Sequence, residues 1–235
     1  LAPSLLLRNG FEMLGTMGFV TALSLIPIST ASAILQATPI AVTAAAAIFL
    51  GETVGWRRWS AVGAGFCGVI LILQPGAEVF DPNVLWAVLG VIGLAGRDIA
   101  TRRMPPGLPT VVVATWGFAA VAVLGAGMLA LSGGAGLPEP RALAFIGTAL
   151  VIGIAAYWAI IEATRAGEVS AITPFRYTRL VFALGIGLWI FDERPNALML
   201  AGAAIVVGSG LYTLYRERRH RLDTRQTSPA PEART

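Results

Sequence analysis

The chain has 235 residues, of which 56% are hydrophobic and only 13% charged, and its mean hydropathy is +0.73. A soluble domain carries about 25% charged residues, so this composition argues against a water-soluble enzyme. The net charge is +4 and every basic residue is an arginine, so the positions of the arginines decide whether the charge marks nucleic acid or membrane topology.

A helix needs about 20 residues to cross a hydrocarbon core of about 30 Å. Eight apolar runs follow one another along the chain, at 11–26, 31–50, 59–73, 84–100, 110–131, 142–161, 171–191 and 197–215. Pro27, Gly51, Pro75-Gly76, Pro105-Pro106-Gly107, Gly133-Gly134, Gly167 and Pro195 separate them. The runs are apolar all round, as embedded helices are. Pro39 lies inside the second run, where it removes a backbone hydrogen bond and can kink the helix. Residues 222–235 are polar and read as a disordered tail. Cys67 is the only cysteine, which leaves no internal disulfide and no thiolate cage for a metal.

Arginines gather in alternate connections. Arg57 and Arg58 follow the second run, Arg102 and Arg103 the fourth, Arg165 the sixth, and Arg216, Arg218, Arg219 and Arg221 the eighth. The other connections hold Glu78, Asp81, Glu139, Asp192 and Glu193 beside only Arg141 and Arg194. The positive-inside rule then places the first set and the C-terminus in the cytoplasm. The partner that the charge implies is the lipid bilayer, and no nucleic acid is needed.

The second and seventh runs end alike, in Phe49-Leu50-Gly51-Glu52 and Ile190-Phe191-Asp192-Glu193. A helix rich in small residues follows each, with Gly63, Gly65 and Gly68 in one and Gly202, Gly208 and Gly210 in the other. The two acidic corners face opposite sides by the arginine pattern, which implies inverted repeats. The expected fold is all-α, a polytopic membrane helix bundle with eight spans here. An inverted pair of five-helix repeats would hold ten spans, with two helices ahead of Leu1. Residues 1–76 then form a partial first repeat, 84–215 the second, and 216–235 the cytoplasmic tail.

Several blocks carry a family resemblance. Leu25-Ile26-Pro27-Ile28-Ser29, Ala37-Thr38-Pro39, Phe49-Leu50-Gly51-Glu52 and Arg57-Arg58-Trp59 stand in the order of an EamA-type repeat. Pro174-Phe175-Arg176-Tyr177-Thr178-Arg179 and Asp192-Glu193-Arg194-Pro195 belong to the second copy, and Arg97 to Arg102 is also similar. The chain thus resembles the EamA-type transporters of the drug/metabolite transporter superfamily. Asp192 departs from the pattern, standing where the first copy has Gly51. The resemblance implies a central cavity between the repeats, lined in part by the first, second, sixth and seventh runs. It favours Gln36, Tyr157, Tyr177 and Arg179 as substrate contacts, with Arg176 beside them.

Charge within a bilayer marks function or structural pairing. Arg179 stands well inside its run, and a guanidinium fork suits a carboxylate or phosphate. The structural alternative is an ion pair with Glu162 or Glu12. Glu12, Asp98 and Glu162 are the candidates for proton coupling or gating. Asp98 and Arg102, and Arg8 and Glu12, stand at i, i+4, where local pairs form. Glu52 and Glu193 read as corner-fixing residues.

The sequence holds no P-loop pattern, HExxH or GxSxG, and its one histidine, His220, lies in the tail. Nothing in it calls for a cofactor or metal. The expected function is secondary transport of a small organic metabolite (amino acid, vitamin or nucleoside-like compound) across the bacterial inner membrane by alternating access. The rival readings are an intramembrane enzyme acting on a lipid or small molecule, and a channel or structural subunit.

Overall fold

A computed structural model describes residues 3–74, 80–105, 109–133, 136, 138–166 and 177–227, with the side chains of 110, 157, 158, 160–166 and 217–227 outside the description. The described residues form helices and their connections, with no strand among them. In chain order the helices are α1 (Pro3–Leu25), α2 (Ile28–Leu35), α3 (Thr38–Phe49), α4 (Trp56–Leu73) and α5 (Val84–Arg102). They continue as α6 (Thr110–Leu131), α7 (Pro140–Ala166), α8 (Thr178–Ile190) and α9 (Ala197–Thr227). By length and composition, four described stretches can cross a membrane: 28–49, 84–102, 111–131 and 197–216.

The helices depart most from the expected runs at three places. Helix α1 starts at Pro3, eight residues ahead of the run, because Arg8, Asn9 and Glu12 are held by partners instead of ending the helix. The second run is two helices. Pro39 cannot donate to the carbonyl of Leu35, and the hydroxyl of Thr38 bonds that carbonyl at 2.7 Å instead. Helix α9 runs on to Thr227, into the stretch expected to be a disordered tail. Its continuation from Arg216 to Thr227 is rich in arginine, a good helix former.

The bent span α2–α3 is central, touching α1, α4, α5, α8 and α9. Ala22, Ile34, Ile40, Val62, Leu180 and Val206 are buried around it. Outward-facing side chains are apolar too: Leu131 is 91% exposed, Trp189 89% and Ile190 72%. In water such a surface would drive aggregation, whereas lipid solvates it. Lipid tails give helices no hydrophobic reason to associate, so association depends on close packing.

Glycines supply that packing at two crossings. Where α1 meets α5, Gly15 lies against Gly93, and a Cβ on Gly18 would come within 2.6 Å of the Gly90 nitrogen. Where α4 meets α9, a Cβ on Gly68 would stand 2.8 Å from the Gly202 carbonyl. Of the glycines noted in the sequence, Gly65, Gly202 and Gly210 are also tightly packed, while Gly63 and Gly208 face open space. Replacing Gly68 or Gly93 by valine should lower stability by about 1–3 kcal/mol through overpacking. Gly63→Ala should change it far less, as unfolding of the purified protein in detergent will show.

Candidate functional site

Both acidic corners turn in the same way. Gly51 has φ +67° and Asp192 has φ +50°. Glycine enters this left-handed region freely and aspartate better than most residues. Asp192 in the place of Gly51 is therefore a conformational match, although it reads as a departure in the sequence. The Glu52 N–H returns to the Ala46 carbonyl at 3.4 Å, and the Glu193 N–H to the Gly187 carbonyl at 2.9 Å. A Cβ on Gly187 would strike the Glu193 carboxylate, so this position too favours a residue without a side chain.

The corners lie at opposite ends of the bent central span. Glu193 accepts hydrogen bonds from the Ile28 N–H at 2.6 Å and the Ser29 N–H at 3.1 Å, which closes the start of α2. Glu52 lies just past the end of α3 and pairs with Arg102 at 2.9 Å. Arg103 donates to the Phe49 carbonyl at the same end. An acid at the helix N-terminus and a base at the C-terminus both complement the helix dipole. The expected Asp98–Arg102 pair is absent among the described residues. Asp98 binds Arg97 instead at 2.8 Å, because the long arginine folds back on its neighbour and Arg102 is engaged by Glu52.

A second charged group lies between α1, α5 and α6. Glu12 takes Arg8 at 2.8 Å on one oxygen and Arg97 at 3.1 Å on the other. Arg8 also donates to Asn9 at 2.9 Å, and Asn9 donates to the Trp116 carbonyl at 3.4 Å. Gly117 leaves room for the Arg8 guanidinium, since a Cβ there would come within 2.6 Å of it. The group borders a cavity of about 250 Å³ lined by Arg8, Glu12, Thr16, Arg97, Gly117 and Phe118, among others. Two cations and two acids balance, which makes partial burial tolerable. Sequence reasoning found the Arg8–Glu12 pair by its spacing. It missed Asn9 and Gly117, because nothing local announces a contact made about a hundred residues away.

The remaining candidates fall differently. Gln36 is buried at the bend between α2 and α3, and Tyr177 is buried where α8 begins, its hydroxyl packed over Gly210. They stand equally far ahead of Glu52 and Glu193 in sequence. Arg179 holds its guanidinium 4.8 Å from the centre of the Phe19 ring, where a cation–π contact forms. Glu12, an expected ion partner of Arg179, is occupied by Arg8 and Arg97. Arg176 lies outside the described residues, as do the side chains of Tyr157 and Glu162. No three His, Cys, Asp or Glu side chains cluster as a metal site among the described residues.

The EamA-like transporter family model matches residues 4–74 and 82–215, in two segments that part between α4 and α5. The chain belongs to the EamA-like transporter family. It is therefore a multi-pass membrane protein and a transporter of small molecules. It is 27% identical over 214 residues to an S-adenosylmethionine uptake transporter of Rickettsia bellii, covering 91% of this chain and 73% of the relative. It is 28% identical over 215 residues to a riboflavin transporter of Rhizobium johnstonii, covering 91% and 70%. A pseudopaline exporter of Pseudomonas aeruginosa is 28% identical over 211 residues, covering 87% and 72%. A solved crystal structure overlays with TM-score 0.50 at 19% identity, covering 89% of this chain and 88% of that one, and so shares its fold.

The two corners match in sequence but differ in surroundings, which gives a direct test. Glu193→Ala leaves two helix N–H groups unpaired and should cost about 1–2 kcal/mol, the usual range for a lost cap. The Glu52–Arg102 pair is about half exposed, so Glu52→Ala should cost less than about 1 kcal/mol. Unfolding of both variants in detergent checks the contrast.

Proposed function

We propose that the chain is a secondary transporter that moves a small organic metabolite by alternating access. The substrate is an amino acid, a vitamin or a nucleoside-like compound, and the chain carries it unchanged. The supporting observation is the placement of two like-turned acidic corners at opposite ends of one bent central span. Residues 1–76 belong to one repeat and 84–215 to the other, and together the eight apolar runs cross the inner membrane. The arginine-rich connections and the C-terminus lie in the cytoplasm, in keeping with the positive-inside rule.

The substrate binds near the bend between α2 and α3, where backbone groups are least committed to helix hydrogen bonds. Gln36 and Tyr177 contact it from the two repeats, and Tyr157 does so from α7. Arg179, with Arg176, takes an acidic group on the substrate, exchanging the Phe19 ring for a charge-assisted hydrogen bond. Glu12 is the coupling residue, with Asp98 and Glu162 assisting as gate. Protonating Glu12 removes the charge that two guanidiniums share and loosens Arg8, while Asp98 keeps its hold on Arg97.

A thermal-shift screen of amino acids, vitamins and nucleoside-like compounds selects ligands for uptake into liposomes. Uptake should saturate and be competitively inhibited. Arg179→Ala should weaken an acidic substrate at least about tenfold more than its neutral analogue, the scale of one hydrogen bond to a charged group. Equal losses would remove Arg179 from the binding site. In the same liposomes Glu12→Gln should abolish the response to an imposed pH gradient while keeping exchange. A retained response would exclude Glu12 from coupling.

A further inference from the structure

Helices α4 and α9 touch at Gly68 and Gly202 and stay close one turn nearer Arg57, where a Cβ on Gly65 would stand 2.9 Å from the Ser209 hydroxyl, while Gly208 faces outward beside this seam. A Cβ on Gly202 would stand 2.5 Å from the Gly68 carbonyl, whereas one on Gly208 meets nothing within 4 Å. Along the outer side of the seam runs an open groove of about 500 Å³, bordered by Trp56, Arg57, Ser60, Ala64, Ile205 and Tyr212. It lies away from the Glu12 cavity, with which it shares no residue.

The chemistry of the groove is graded along its length. Arg57 is exposed at the mouth, 5.3 Å from the centre of the Trp56 ring. The hydroxyls of Ser60 and Tyr212 stand at the same end, and Ala64, Ile205 and Gly208 make the deeper walls apolar. No carboxylate is among the lining residues. Aromatic and arginine side chains together mark headgroup depth in a membrane protein. A cationic, hydroxyl-bearing mouth beside an apolar slot floored by Ala64 and Gly208 fits an amphiphile with an anionic head and a thin apolar tail.

We propose that this groove binds one anionic glycerophospholipid from the leaflet at the Arg57 end. The phosphate sits on Arg57 and accepts from the hydroxyl of Tyr212, while the Ser60 hydroxyl stays on the Arg57 carbonyl at 2.8 Å. One acyl chain runs along Ala64 and over Gly208. Basic pockets between helices are a recurring form of anionic-lipid recognition. A second copy of the chain fits less well, since a two-fold pairing through this groove brings two Arg57 side chains together.

Native mass spectrometry and thermal unfolding of the purified full chain test the proposal, with phosphatidylglycerol and phosphatidylcholine of identical acyl chains as probes. Phosphatidylglycerol should be retained and should raise Tm, and phosphatidylcholine should do neither. Arg57→Gln should reduce the preference about fivefold, the worth of one arginine near an anionic headgroup. Arg141→Gln, on α7, should leave it intact. Gly208→Leu should abolish retention by filling the groove, without lowering Tm in the absence of lipid. Ser60→Leu blocks the opposite wall should Gly208→Leu fail to fold. Equal binding of the two lipids, or an unchanged preference in Arg57→Gln, overturns the proposal. So does a disulfide between copies of Gly208→Cys in a Cys67→Ser background, which would put a second copy in the groove.

Discussion

The structure depends on how the two ends of one bent span are held. The Glu193 carboxylate closes the start of α2, and Arg103 takes the last carbonyl of α3, so each end of the span meets the charge its dipole favours. These ties are not local. Glu193 comes from the corner after α8 and Arg103 from the end of α5, so both hold distant parts of the chain to the central span. The Glu193 tie is part-buried and the Arg103 tie exposed, so the first carries the larger penalty when broken. The span bends at Gln36 because Pro39 cannot donate to the Leu35 carbonyl, which the Thr38 hydroxyl takes instead.

The close crossings complete this frame. Gly15 with Gly93 and Gly68 with Gly202 bring four helices nearly backbone to backbone. The pairing is selective, since Gly63 and Gly208 face open space. Composition alone cannot distinguish a glycine that closes a crossing from one that leaves a groove. Helix phase at the crossing decides, and phase is set by tertiary packing.

Much of the fold was legible in the sequence. Apolar runs and their breakers placed the helices, and Pro39 marked the bend. The shared Gly51-Glu52 and Asp192-Glu193 endings marked two corners that turn alike, because a corner that needs a left-handed residue leaves a local signature. The site was less legible. Spacing found the Arg8–Glu12 pair, but the third partner, Arg97, comes from another helix. Spacing also misassigned Asp98 to Arg102, since a rule of helix neighbours takes no account of Glu52 arriving from outside. Glu193 read as fixing its own corner, and nothing near it in sequence points to Ile28. The family match adds what physics alone does not: that a bundle of this kind moves small molecules.

The central claim is that the two acidic corners stand on opposite faces of the membrane. Single-cysteine variants Thr53→Cys and Arg194→Cys, made in a Cys67→Ser background, test it by labelling with an impermeant maleimide in intact cells and in inverted vesicles. The account predicts that Arg194→Cys labels only from outside the cell and Thr53→Cys only from the cytoplasmic face. Labelling of both from the same face would contradict the inverted arrangement and the transport mechanism drawn from it.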